Sequence, residues 1–338
     1  MKGDAMRRST DRCLAFVLGG GGARGAMQVG AVRALIEAGY QPDLLVGTSV
    51  GAGNAAALAL WGVDPAGVDA LEQVYKDVTA AGLMDPRLGR LILRALAGRP
   101  NLEASRRMTE FFVSRGIAPD LTFDQLTSVR LALVGADLNR GCPVIYGQEP
   151  GQSVLEGLLA STAIPPWFAP LEKDGRCIVD GGAVSGLPIE PALTLGATEI
   201  IALDLSPASP PPAQSEGLDR YLNRFLYTIS QRQACLEAAL AEARGVPVRD
   251  LHLRSNPPVR LWEFGACRSL FQIGYEIAAR EIETWASEDW IELPCPEPAD
   301  VRAFGDPRPV VGRGRARPAG TGDTSATVDA RTAITEEP

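Results

Sequence analysis

Apolar positions along this chain switch between two periods. Cys13–Leu18 is a short unbroken apolar run that breaks into Gly19-Gly20-Gly21-Gly22-Ala23-Arg24-Gly25. Behind the glycines, Val29, Val32, Leu35 and Ile36 recur at helical spacing, and Gly39 is a natural stop. Asp43–Val46 is a second short apolar run, followed by Gly47-Thr48-Ser49-Val50-Gly51 and an Ala-rich helical stretch to Trp61. Such short runs make sense only inside a buried sheet, and strand-helix-strand-helix predicts parallel strands covered on both faces.

The pattern continues as helix through residues 64–115, which reads as a helical insertion. It either packs on the sheet or forms a cap that meets lipid. Strands are expected at 129–137, 143–146, 176–179, 199–205 and 249–253, with helices at 154–160, 189–195, 218–243 and 268–285. The predicted organisation is a flexible N-terminus (1–12), a sheet-containing core domain (13–205), a mainly helical extension packed on it (206–293) and a disordered tail (294–338), where Pro, Gly, Arg and Thr replace apolar residues.

Composition narrows the function. The 338 residues are 46% hydrophobic and 22% charged, as expected of a globular protein without a spanning helix. A net charge of −8 argues against a nucleic-acid partner. Six cysteines without a C-x-x-C pair argue against a zinc site or a disulfide framework. A reducing setting is expected, in the cytoplasm or peripheral to the membrane, with no secretory signal and no metal or organic cofactor.

The chemistry concentrates in two loops. Polyglycine between a strand and a helix lets backbone N–H groups converge beside a helix N-terminus, which suits negative charge. Gly20-x-Gly22-x-x-Gly25 also fits a dinucleotide fingerprint, but the second strand ends in Gly47-Thr48-Ser49 rather than in the acidic residue that would hold a ribose. Gly47-x-Ser49-x-Gly51 between strand and helix reads as a nucleophile elbow. A serine hydroxyl needs a base. The order Ser49, Asp180, His252 matches the α/β-hydrolases, yet the single histidine lies in an alternating run and the elbow comes too early in the chain. A carboxylate remains: Asp180, followed by Gly181 and Gly182, with Asp137 and Asp204 as the other strand-end candidates.

Four blocks in order carry a resemblance: Gly20–Gly25, Gly47–Gly51, Ala160-Ser161-Thr162-Ala163-Ile164-Pro165 and Asp180-Gly181-Gly182. Together they resemble the patatin-like phospholipase family. The resemblance implies an α/β class fold, a three-layer α/β/α sandwich with a mostly parallel central sheet. It implies hydrolysis of lipid acyl esters by a Ser49–Asp180 dyad without histidine. By the same resemblance, Gly20, Gly21, Gly22, Arg24 and Gly25 form the oxyanion loop. Gly47, Gly51, Gly181 and Gly182 support the elbow and the aspartate. The partner is then a lipid or membrane surface. Many members carry an asparagine after the D-G-G block where this chain has Gly186, which bears on how the aspartate loop is held. Acyl transfer to another acceptor, or lipid binding without turnover, would use the same residues.

Overall fold

The computed structural model describes residues 12–81, 101–207 and 218–285. The expected N-terminal segment, apart from Arg12, and the expected tail lie outside them, as does the middle of the helical stretch 64–115. Arg12 itself pairs with Glu199 at 2.7 Å.

Eight strands form one sheet: β1 (Leu14–Leu18), β2 (Leu44–Thr48), β3 (Arg130–Asp137), β4 (Cys142–Tyr146), β5 (Leu171–Lys173), β6 (Arg176–Asp180), β7 (Glu199–Asp204) and β8 (Val248–His252). The order β3-β2-β1-β7-β8 is parallel throughout. β4, β5 and β6 are antiparallel additions at the β3 end. The sequence pattern misses β5: its three residues are too short to show a period. It pairs with β6 through a tight turn in which Asp174 and Gly175 both adopt positive φ.

β1 shows why the sheet needs helices on both sides. Leu14, Phe16 and Leu18 enter one core, Ala15 and Val17 the other, and all five are buried. The first core is covered by α1 (Gly25–Glu37), α2 (Val50–Trp61), α3 (Pro65–Ala81), α5 (Val154–Ser161) and α8 (Cys267–Trp285). The second is covered by α6 (Ile189–Thr194) and α7 (Leu218–Ala243). α4 (Leu102–Ser114) packs against α5. This is the expected α/β/α sandwich.

Residues 218–285 complete these layers. β8 extends the parallel sheet beside β7. α8 seats on α1 through two glycines: a Cβ at Gly30 would strike the Phe271 carbonyl, and one at Gly274 the Met27 carbonyl. The helix that follows the glycine loop is thereby clamped from the far end of the chain.

Candidate active site

β3 is longer than the strands it pairs with, and this creates the site. β2 pairs with its first half, ending at Thr48 opposite Val134. β4 occupies the other edge of residues 133–137. β6 therefore pairs with residues 135–137 on the edge that β2 has just vacated, running the opposite way and ending at Asp180 opposite Gly135. Two strands meet end to end along one neighbour. Their last residues deliver Ser49 and Asp180 to the same gap.

Ser49 sits at φ 57° and ψ −124°, a conformation that L-residues rarely adopt and that marks a sharp elbow. Its N–H donates to Ser161 Oγ at 3.0 Å, and Ser161 Oγ donates to Val134 O at 2.6 Å. Ser161 thus pins the elbow to β3. The turn is tight enough that a Cβ at Gly51 would strike the Leu18 carbonyl, and one at Gly47 the Gly51 carbonyl.

Asp180 is buried, and burial pushes its carboxyl up to about 6, against the Ser49 hydroxyl and the Gly182 N–H, which favour the charged form. Gly182 N–H donates to Oδ1 at 2.8 Å. Oδ2 is buried and has no hydrogen-bond partner among the described residues. The Ser49 hydroxyl lies close enough to the carboxyl to favour its charged form. Gly181 lies over the strand junction, where a Cβ would strike the Val134 carbonyl and press on Thr48.

The glycine loop lies directly on the serine: a Cβ at Gly20 would come 3.2 Å from Ser49 Cβ. Its amides are not equivalent. Gly20 N–H already donates to Gly186 O at 2.8 Å, which removes it from the expected set of oxyanion donors. The amides of Gly21 and Gly22 have no protein acceptor among the described residues. Arg24 Nε holds the Gly21 carbonyl at 3.2 Å, and because the peptide is trans, Gly22 N–H faces the opposite way. Gly22 has φ +56° and borders the same cavity as Ser49. Burial lowers the Arg24 pKa, with Asp204 acting the other way. Gly25 begins α1 where a side chain would collide with Val50 and the Tyr75 hydroxyl.

A buried polar network fixes this loop. Gln28 Nε2 donates to the carbonyls of Gly19 and Leu203, Asn54 Nδ2 to Gly25 O and Gln28 Oε1, and Tyr75 OH to Asn54 Oδ1. Sequence reading assigned these residues no role. The signal was a Gln and an Asn set among small and apolar neighbours in their helices, since buried polar groups are nearly always bonded.

The other strand-end carboxylates are engaged elsewhere. Asp137 Oδ1 accepts the N–H groups of Asn139 and Arg140. Asp204 accepts Ser206 N–H and lies 3.3 Å from His252 Nδ1. His252 stands on β8, three strand steps from β2, roughly 14 Å away. It is an exposed strand residue and not a partner of Ser49.

A cavity of about 140 Å³ opens beside Ser49 and Gly22 and is almost wholly apolar. It runs along α2 past Gly53, Ala56 and Ala57 to Leu60, walled by Val74, Phe112 and Leu158. α3 and α4, from the expected helical insertion, form one of its walls.

Fold and site define a class: an α/β sandwich with a serine elbow facing a glycine loop. The chain belongs to the patatin-like phospholipase family, whose model matches residues 16–193. An uncharacterized NTE family protein of Mycobacterium tuberculosis is 30% identical over 67% of this chain and 59% of its own length. A protein named lysophospholipase nte1 from Emericella nidulans is 27% identical over 85% of this chain but only 19% of its own. The chain thus spans three fifths or less of these relatives. Among solved structures, VipD of Legionella pneumophila matches with a TM-score of 0.44 and 15% identity, over 81% of this chain and 67% of that one. No helix among the described residues is long and apolar enough to cross a membrane.

Proposed function

We propose that the chain is a serine acyl-ester hydrolase that releases fatty acids from phospholipid or lysophospholipid through an acyl-enzyme on Ser49. The observation that carries this reading is the end-to-end meeting of β2 and β6, which puts an elbow serine beside a buried aspartate. Family membership and the apolar cavity supply the substrate class.

In the first half-reaction Ser49 Oγ attacks the ester carbonyl while Asp180 takes its proton. The Gly21 and Gly22 N–H groups, with the amides opening α2, hold the oxyanion. Asp180 returns the proton to the leaving alcohol or lysolipid. In the second half-reaction Asp180 accepts a proton from water as it attacks the acyl-enzyme, then returns that proton to Ser49 Oγ as the acyl–Oγ bond breaks and the fatty acid leaves. A carboxyl raised to about 6 is a better base than an ordinary aspartate, yet still ionised at neutral pH. The test is fatty-acid release from lysophospholipid in mixed micelles by the purified chain. Release is expected, and its absence across a panel of head groups would count against the reading.

The pH dependence follows from the same group. Asp180 works only as a carboxylate. kcat/KM is therefore expected to rise with pH along an acid limb near 6 and to level above it. A limb near 4, as for an exposed aspartate, would contradict a buried base.

Acyl-chain selection is expected to lie with Gly53, one turn after the nucleophile. A Cβ there meets nothing within 4 Å, and the cavity occupies that space. The α2 groove from Gly53 to Leu60 is about 11 Å long, enough for roughly eight carbons of extended chain. Gly53→Leu is expected to lower turnover of long-chain esters by about 100-fold, on the basis of ~0.8 kcal/mol for each of a few excluded methylenes. Acetyl and butyryl esters are expected to react nearly as before. Equal loss on short and long chains would place the acyl group elsewhere.

A further inference from the structure

The segment from Asp180 to Glu190 joins the aspartate, the elbow and the glycine loop. Asp180 begins it. Ser185 O accepts Thr48 Oγ1 at 2.9 Å, from the residue before the nucleophile. Gly186 O accepts Gly20 N–H at 2.8 Å, from the oxyanion loop. A shift of this segment moves base, elbow and donors together.

Two side chains of α7 hold it from outside. Glu237 is buried. Its Oε1 accepts the Ser185 hydroxyl at 2.7 Å, and its Oε2 accepts Glu190 N–H at 2.8 Å. One turn earlier, Gln233 Nε2 donates to Ala183 O at 2.8 Å. Gln233 Oε1 is buried, has no partner among the described residues, and lies 3.8 Å from where a Cβ at Gly186 would stand. Three bonds from one helix therefore fix residues 183, 185 and 190, on both sides of the glycine that receives the oxyanion loop.

We propose that Glu237 and Gln233 are positioning residues: through them α7 holds residues 183–190 in the conformation that presents Asp180 to Ser49 and orients the glycine loop. This rests on the dyad reading above and assigns a role to the chain beyond the family match at residues 16–193. Burial pushes Glu237 up to about 7, against the Glu190 N–H and the Ser185 hydroxyl, which favour its charge. Both bonds survive protonation, because a protonated Glu237 donates to Ser185 Oγ while its other oxygen still accepts from Glu190. A glutamine at 237 does the same, so the requirement is for two bonds and not for a charge.

The experiment compares Glu237→Ala, Glu237→Gln, Gln233→Ala and Ser49→Ala in the full chain, with Leu236→Ala, exposed on the same helix, as control. The readouts are kcat and KM on lysophospholipid micelles, the rate of fluorophosphonate labelling, and Tm. Glu237→Ala is expected to lower kcat and labelling roughly 10- to 100-fold at nearly unchanged KM, the effect of displacing reactive groups by a fraction of an ångström. Gln233→Ala is expected to do so about tenfold, and Glu237→Gln and Leu236→Ala to remain near wild type. Should Glu237→Ala fail to fold, Ser185→Ala breaks the same bond from the other side and is expected to lower kcat about tenfold. A folded Glu237→Ala with wild-type kcat and labelling, beside an inactive Ser49→Ala, overturns the brace and leaves the dyad standing. Glu237→Gln falling as far as Glu237→Ala also overturns it. Activity in Ser49→Ala overturns the dyad reading and the brace with it.

Discussion

Ser49→Ala is expected to reduce fatty-acid release by about 10⁴-fold or more, since removing a nucleophile abolishes the covalent route and leaves only what binding and the oxyanion donors supply. The fold should tolerate the change. The Ser161 bond goes to the Ser49 backbone N–H, which alanine retains. The positive φ of residue 49 strains alanine about as it strains serine. Loss of activity at unchanged Tm and unchanged micelle binding is the expected result. Loss accompanied by unfolding would say nothing of chemistry, so circular dichroism and Tm belong to the measurement.

Asp180→Asn is expected to lower kcat by about 10³- to 10⁴-fold, toward the upper range for removal of a general base. The amide keeps the Gly182 N–H bond to Oδ1 and the shape of the side chain. Its effect on stability should run the other way. The folded-state carboxyl is raised from its usual 3.8 to about 6, so native protein binds the proton more tightly than unfolded chain. Stability linked to Asp180 is full at low pH and is lost as pH rises through that window. At pH 7–8 the wild type carries a buried carboxylate that asparagine removes. Tm of Asp180→Asn is therefore expected to equal or exceed that of wild type while activity collapses. A variant both less stable and only mildly impaired would make Asp180 a structural residue.

The parts of this site that rest on local pattern were legible in the sequence. The run Leu14–Leu18 into four glycines, and the glycines flanking Ser49, each require a turn that only small residues permit, and both turns stand where they were expected. What was not legible depends on register. Nothing local to Arg176–Asp180 says that it will pair antiparallel with β3, or that it will do so on the edge vacated by β2. The choice of edge follows from β4, which occupies the other edge of residues 133–137. The same holds for Gly20. Four adjacent glycines look alike in sequence, and only the carbonyl of Gly186 distinguishes the occupied amide from its neighbours. Ser161 lay within a recognised block, yet its bond to the elbow needs β3 between them. Glu237 sits in a helix whose charges at Arg224, Arg232 and Glu242 face solvent, and a carboxylate alone does not announce that it is buried. The cavity belongs to the same category, because Gly53, Val74, Phe112 and Leu158 meet only after four helices have packed.

The central claim is that an acyl group passes through Ser49. Rapid acid quench of the working enzyme on a long-chain lysophospholipid, followed by peptide mass spectrometry, tests it most directly. The expected result is a fatty-acyl mass on the peptide carrying Ser49, formed within one turnover and absent from Ser49→Ala. An acyl mass on any other residue, or undiminished fatty-acid release by Ser49→Ala, would contradict it.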